Sequence, residues 1–111
     1  MLLEHIKNTP ETIGFKEVIA YIDEHYNFTP TQFKNGNTIN EGNQNNGSCK
    51  VFSFAKLNDL SKEETLSLFG DFYRNDVLEN PEGTDHQNIR NFMEFGWEGI
   101  SFEGEALKKK F

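Results

Sequence analysis

From Phe15 to Tyr26 the apolar residues Phe15, Val18, Ile19, Ile22 and Tyr26 recur three and four positions apart. That spacing lays one buried stripe along a helix. Thr9-Pro10-Glu11 supplies a start for it: a hydroxyl for the cap, a proline where the missing N–H costs nothing, and an acid in the first turn. The pattern predicts a helix from about Thr9 to Tyr26. A second follows Ser61-Lys62-Glu63-Glu64, a capping box with Leu66, Phe69, Phe72 or Tyr73, and Val77 as its inward face. Asn80-Pro81-Glu82-Gly83 reads as a turn. A third helix is capped by Asp85, carries Ile89, Phe92 and Met93 inward and stops at Gly96.

The remaining segments follow other rules. Pro30 biases Thr29 away from helix, so FTPTQF (28–33) is extended. Asn35-Gly36 tolerates positive φ and predicts a hairpin that pairs FTPTQF with NTIN (37–40). KVFSFAKL (50–57) fits a strand through Phe52 and Phe54 and a helix through Val51, Phe54 and Ala55; Ser48 as a cap tips it towards helix. GWEGISFEGEAL wraps onto the core, with Trp97 at its rim. The fold class expected is helix-rich α+β: three or four helices around a phenylalanine-rich core, with a small β-hairpin, in one domain spanning residues 1–111.

Composition sharpens this picture in two places. Only 35% of residues are apolar, but 11 of them are Phe, and a few large rings can fill a core. The net charge is −7, and residues 61–111 hold eleven acids against six bases. A field of that sign repels phosphate backbones and anionic membranes, which excludes nucleic acid and membrane surfaces as partners. Lys108, Lys109 and Lys110, the only basic cluster, read as a solvated tail or helix end. One cysteine forms no internal disulfide, and no run is long and apolar enough to span a bilayer. The expectation from these counts is a soluble cytosolic domain.

Candidate chemistry gathers around NGNTINEGNQNNGSCK (35–50), with six asparagines, three glycines and the single cysteine. It is either a mobile connector or an ordered loop whose left-handed residues offer N–H groups to a ligand. Asn35, Asn43, Asn46 and Lys50 are its candidate ligand-binding residues, joined by Asp85, and by Arg74 and Arg90 as a fork for a carboxylate or phosphate. Ion pairing within the acidic half is the rival account of the two arginines. Cys49 in the first turn of a helix that Ser48 caps has the setting of a thiolate, with His86 as its base and an asparagine from 43–46 completing a Cys-His-Asn device. The rival reading is a small buried apolar residue. No pair of His or Cys stands at metal-ligand spacing, so neither metal nor cofactor is expected.

FTPTQFKNG, NNGSCKVFSFAKL, LSKEETLSLFGDFYRNDVL and GTDHQNIRNFMEFGWEGISF, in that order, resemble the HopJ type III effector family of Gram-negative bacteria. The resemblance runs from about Ile13 to Leu107. It implies a small bacterial effector-type protein and no enzymatic activity assignable residue by residue. Three readings of function follow. The first is a non-catalytic binding module using loop 35–50 and turn 83–90 for a small molecule or a protein. The second is a cysteine-dependent hydrolase or transferase built on Cys49 and His86. The third is an effector delivered into a host cell.

Overall fold

In the computed structural model, which describes residues 2–110, the helix expected over 9–26 is divided. A short helix α1 (Leu2–Asn8) comes first, then one turn of 3-10 helix (Pro10–Thr12), then α2 (Phe15–His25). Thr9 makes no side-chain cap. The reason for the break is tertiary. Ile13 and Gly14 are extended, and the Ile13 and Pro10 carbonyls accept from Arg74 Nη2 and Nη1 at 2.6 and 3.4 Å. His5 then ties α1 down, its Nδ1 3.0 Å from Glu17 Oε2 and its Nε2 2.6 Å from Thr12 Oγ1. α1 itself is too short for its two buried residues, Leu2 and Ile6, to make a legible period.

The hairpin forms, but from less chain than expected. β2 (Phe33–Asn35) and β3 (Thr38–Asn40) pair antiparallel around Gly36. Phe28 belongs instead to β1 (Tyr26–Phe28), which pairs with β5 (Leu107–Lys109) near the C-terminus. Lys108 and Lys109 are therefore strand residues, not a solvated tail or a helix end. β4 (Ile100–Phe102) takes the other edge of β2, giving a three-stranded sheet in the order β3-β2-β4. The closing segment packs as anticipated, with Ala106 and Leu107 buried.

KVFSFAKL resolves as helix, within α3 (Asn46–Leu57). Its N-cap is Asn45 in the left-handed region (φ 52°) and not Ser48, which lies in the first turn. α4 (Lys62–Ser67) carries the expected box: Ser61 Oγ accepts from Glu64 N–H at 3.1 Å and Glu64 Oε1 from Ser61 N–H at 2.9 Å. A hydrogen bond from Lys7 Nζ at 2.8 Å is the main reason the Glu64 carboxyl is held below its ordinary range. α4 does not run on to Val77. Gly70, at φ +60°, interrupts it, and a π-helix (Phe72–Val77) follows. Finally α5 (Gln87–Phe95) begins from His86 in the left-handed region, one residue later than the Asp85 cap expected, and passes into a 3-10 turn (Gly96–Gly99).

The helix-rich α+β class stands. Phe52 is the hub of its core, fully buried with ring centroids 5.0 to 6.4 Å from Phe92, Phe69, Phe33 and Trp97. Trp97 lies partly buried against the core rather than at an open rim, its Nε1–H donating to the Leu60 carbonyl at 3.0 Å.

Gly70 is the joint between α4 and the π-helix. A Cβ there meets the Phe15 nitrogen at 2.7 Å and the Ile13 oxygen at 3.2 Å, both main-chain atoms, on top of the unfavourable φ. Gly70→Ala is expected to lose about 2–4 kcal/mol of stability in chemical denaturation. Gly14→Ala, where a Cβ meets nothing within 4 Å, is the control and loses under about 1 kcal/mol. Equal losses would refute the packing account.

Candidate functional site

Four asparagines build the centre of the site. On β2 the two-residue period that buries Phe33 also buries Asn35; on α5 the four-residue step from Phe92 brings Asn88 to the inner face. Asn40 stands opposite Phe33 in the hairpin register and is 1% exposed. Their amides then have only one another to satisfy. Asn88 Nδ2 donates to Asn40 Oδ1 at 3.0 Å and Asn40 Nδ2 to Asn88 Oδ1 at 3.1 Å, a reciprocal pair. Asn35 Nδ2 donates to the Asn88 carbonyl and to Asn88 Oδ1, both at 2.9 Å. Asn45 Nδ2 donates to Asn40 Oδ1 at 2.7 Å, so the network reaches the cap of α3. Asn91 closes the outside, its Nδ2 donating to the Asn35 carbonyl at 3.2 Å and Thr38 Oγ1 at 3.0 Å.

This network orders the asparagine-rich loop and welds it to the start of α5. In front of it lies a cleft of about 370 Å³. The loop contributes Thr38, Asn40, Asn45, Gly47 and Ser48; the start of α5 contributes His86, Gln87, Asn88 and Ile89. Phe15, Phe69 and Phe72 complete the wall. Gly47 is small for a reason, since a Cβ there meets the Phe15 ring at 2.9 Å. The two helices that start here cannot satisfy the N–H groups of their first turns internally. His86 Nε2 lies 3.1 Å from Asp76 Oδ2 and 3.8 Å from Asp85 Oδ2, and its ring packs against Phe72 at a tilt of 34°, with centroids 5.1 Å apart. The π-helix is what brings Phe72 and Asp76 to that ring, in keeping with the frequent occurrence of π turns at functional sites.

The candidates chosen from sequence are placed as follows. His86 lines the cleft. Cys49 does not: it is 1% exposed, and its Sγ donates to the Thr31 carbonyl at 3.6 Å. Burial pushes the thiol above its ordinary range, outweighing the contacts with Thr31 and Ser53. Its environment therefore opposes the thiolate that a nucleophile requires, and among the described residues it makes no hydrogen bond to His86. Arg90 braces a turn, with Nε and Nη1 on the carbonyls of Asp85 and Asn80 at 2.6 and 2.9 Å and Nη2 on Asp85 Oδ1 at 2.6 Å. That last bond is the main reason the Asp85 carboxyl sits below its ordinary range. Arg74 braces 10–13 and pairs with Asp71 at 3.3 Å. Lys50 pairs with Asp23 at 2.8 Å and lies over the Phe28 ring. Asn43 and Asn46 lie on the loop and the first turn of α3, outside the cleft lining, and Asn35 lies behind it. The arginines are thus engaged by backbone carbonyls and do not form a fork over the loop.

Sequence reasoning found the two segments and missed most of the side chains. Asn88 and Asn40 were detectable as polar residues at positions where the helix and strand periods demand apolar ones. The aromatic wall had no signal, because Phe15, Phe69 and Phe72 meet only through the breaks at Gly14 and Gly70. A wider and more open hollow of about 640 Å³ lies between α1 and α2, but Glu4, Glu17 and Glu24 line it. Among the described residues no group of three or more His, Cys, Asp or Glu is arranged to hold a metal ion. Among the described residues no helix is long and apolar enough to cross a membrane.

These features define a small helix-rich α+β domain with an amide-locked cleft. The sequence profile described as HopJ type III effector protein matches residues 1–107, and the chain belongs to that family. A solved structure titled as the crystal structure of the unknown function protein VPA0580 is similar over 98% of this chain and 91% of its own, at 57% identity and a TM-score of 0.97. No curated protein matches the chain.

Asn88→Ala removes the hub of the network and strands buried amide groups of Asn35 and Asn40. The expected loss is about 2–4 kcal/mol, with faster hydrogen exchange across residues 38–47. A loss below about 1 kcal/mol with exchange unchanged would mean that the loop is held by something else.

Proposed function

We propose that the protein is a non-catalytic binding module whose cleft, between loop 35–50 and turn 83–90, takes a small molecule. The observation that carries this reading is the meeting of both segments in one cavity of about 370 Å³, lined by amides and aromatic rings together. Such a mixture of apolar wall and few convergent polar groups is the usual make-up of a ligand site. The buried amide network supports it too, because a preordered loop loses little conformational entropy on binding. The cysteine-enzyme reading has less support: its nucleophile is buried, its thiol is disfavoured as an anion, and its proposed base is held by Asp76.

A fragment screen followed by amide chemical shifts tests the module. Hits are expected to shift Thr38, Gly47, Ser48, Gln87 and Asn88 saturably and together. A screen whose hits scatter over the surface, or shift nothing, would remove the reading.

The family description favours a second and compatible reading, delivery from the bacterial cytoplasm through a type III apparatus. A translocation reporter fused to the full chain is expected to reach host cells from a strain with a working apparatus, and not from one lacking its ATPase. Reporter signal confined to the bacterial cytosol in both strains counts against delivery.

A further inference from the structure

We infer that the cleft's ligand is a flat, uncharged heteroaromatic ring with hydrogen-bonding groups on its edge, of the nucleobase class, carried as a free nucleoside. This inference rests on the binding-module reading above and adds the ligand's chemistry.

Three features of the cavity point to that class. First, one wall is a continuous run of rings. Phe69 and Phe15 are near-parallel (15°, centroids 6.2 Å), Phe15 meets Phe72 edge-on at 5.1 Å, and Phe72 lies 5.1 Å from the His86 imidazole at 34°. Phe72 is 40% exposed beside these rings. An exposed aromatic ring in such a row offers a stacking platform. Second, the rest of the lining is largely amide and hydroxyl. The internal network consumes the Asn40 and Asn88 side chains, whereas Ser48 Oγ, Asn45 Oδ1 and Gln87 Oε1 keep acceptor capacity. The first-turn N–H groups of α3 supply donors. A planar base offers donors and acceptors along one edge and a π face at right angles to them, which matches a lining of these two kinds.

Third, the lining is electrically plain. In a chain of net charge −7, no Lys, Arg, Asp or Glu is among the residues lining the cleft, and His86 is its single titratable group. His86 Nε2 lies 3.1 Å from Asp76 Oδ2 and 3.8 Å from Asp85 Oδ2, both outside the lining. Arg74 and Arg90, the residues that could neutralise a phosphate, are bound to backbone carbonyls instead. No lining side chain carries a permanent positive charge to repay the desolvation of a phosphate, and the surrounding field repels it. The nucleoside is therefore favoured over its nucleotide, and over any nucleic-acid strand.

The experiment titrates the full chain with adenosine, guanosine, cytidine and uridine, each beside its 5′-monophosphate, with glucose and N-acetylglucosamine as flat-faced but non-aromatic controls. Amide shifts and calorimetry are read together. At least one nucleoside is expected to bind saturably, shifting Gly47, Ser48, Gln87 and Asn88, with its monophosphate no tighter. Phe72→Leu keeps apolar bulk but loses the ring face; it is expected to weaken that nucleoside by about tenfold or more, while the melting transition is retained. A monophosphate that binds several-fold tighter than its nucleoside overturns the inference, as does equal binding by the Phe72→Leu protein. If the sugars or screening fragments shift the cleft and no nucleoside does, the inference falls and the binding-module reading stands. If no compound of either kind shifts the cleft, both fall.

Discussion

The reciprocal amide pair between Asn40 and Asn88 is the constraint on which the rest of this molecule depends. Each residue belongs to an element that has no covalent reason to meet the other: one ends a three-residue strand, the other begins a helix almost fifty positions later. Buried amides that find no partner are costly. The chain therefore reaches a low free energy only when the hairpin and α5 are brought into a single register. Asn35 and Asn45 extend the pair on either side, so the loop's polar composition, which resembles slack, acts as an internal adhesive. The buried Asn35 Oδ1 has no partner among the described residues, the one imperfection of an otherwise closed network.

Around that pair the charged residues serve mainly as braces. Arg74 and Arg90 both spend their guanidinium groups on main-chain carbonyls in irregular segments, where helix or sheet bonding is absent. One holds the break between the 3-10 turn and α2; the other holds the turn ahead of α5. Guanidinium is suited to this because its fixed fork can reach two or three oxygens at once. The consequence for the proposed binding role is indirect: the lining of the cleft is left without a Lys or Arg side chain.

The cysteine illustrates how helix position and burial compete. At the first turn of α3 the helix dipole favours a thiolate, yet desolvation dominates. The side chain packs as a small apolar group beside the Thr31 carbonyl. His86, by contrast, stands in the left-handed region at the cap of α5, its ring tilted against Phe72 and its Nε2 3.1 Å from Asp76 Oδ2. Backbone of that kind persists where surrounding contacts over-determine it, and here those contacts are the wall of the cleft.

The residues by themselves determined the helical class, the Phe-rich core, the Ser61 capping box, the Asn35-Gly36 hairpin turn and the two segments that line the candidate cleft. These are local matters: periodicity, caps and turn chemistry act over a few residues, and no distant contact reverses them. Tertiary structure decided the rest. It cut one expected helix at Ile13 and Gly14, cut another at Gly70, assigned Phe28 to the C-terminal strand and moved the caps of α3 and α5 onto Asn45 and His86. It also chose which asparagines turn inward. Each of those outcomes is set by a partner far away in the chain, whether an arginine, a backbone segment or another amide, and a one-dimensional pattern carries no record of which distant groups will meet.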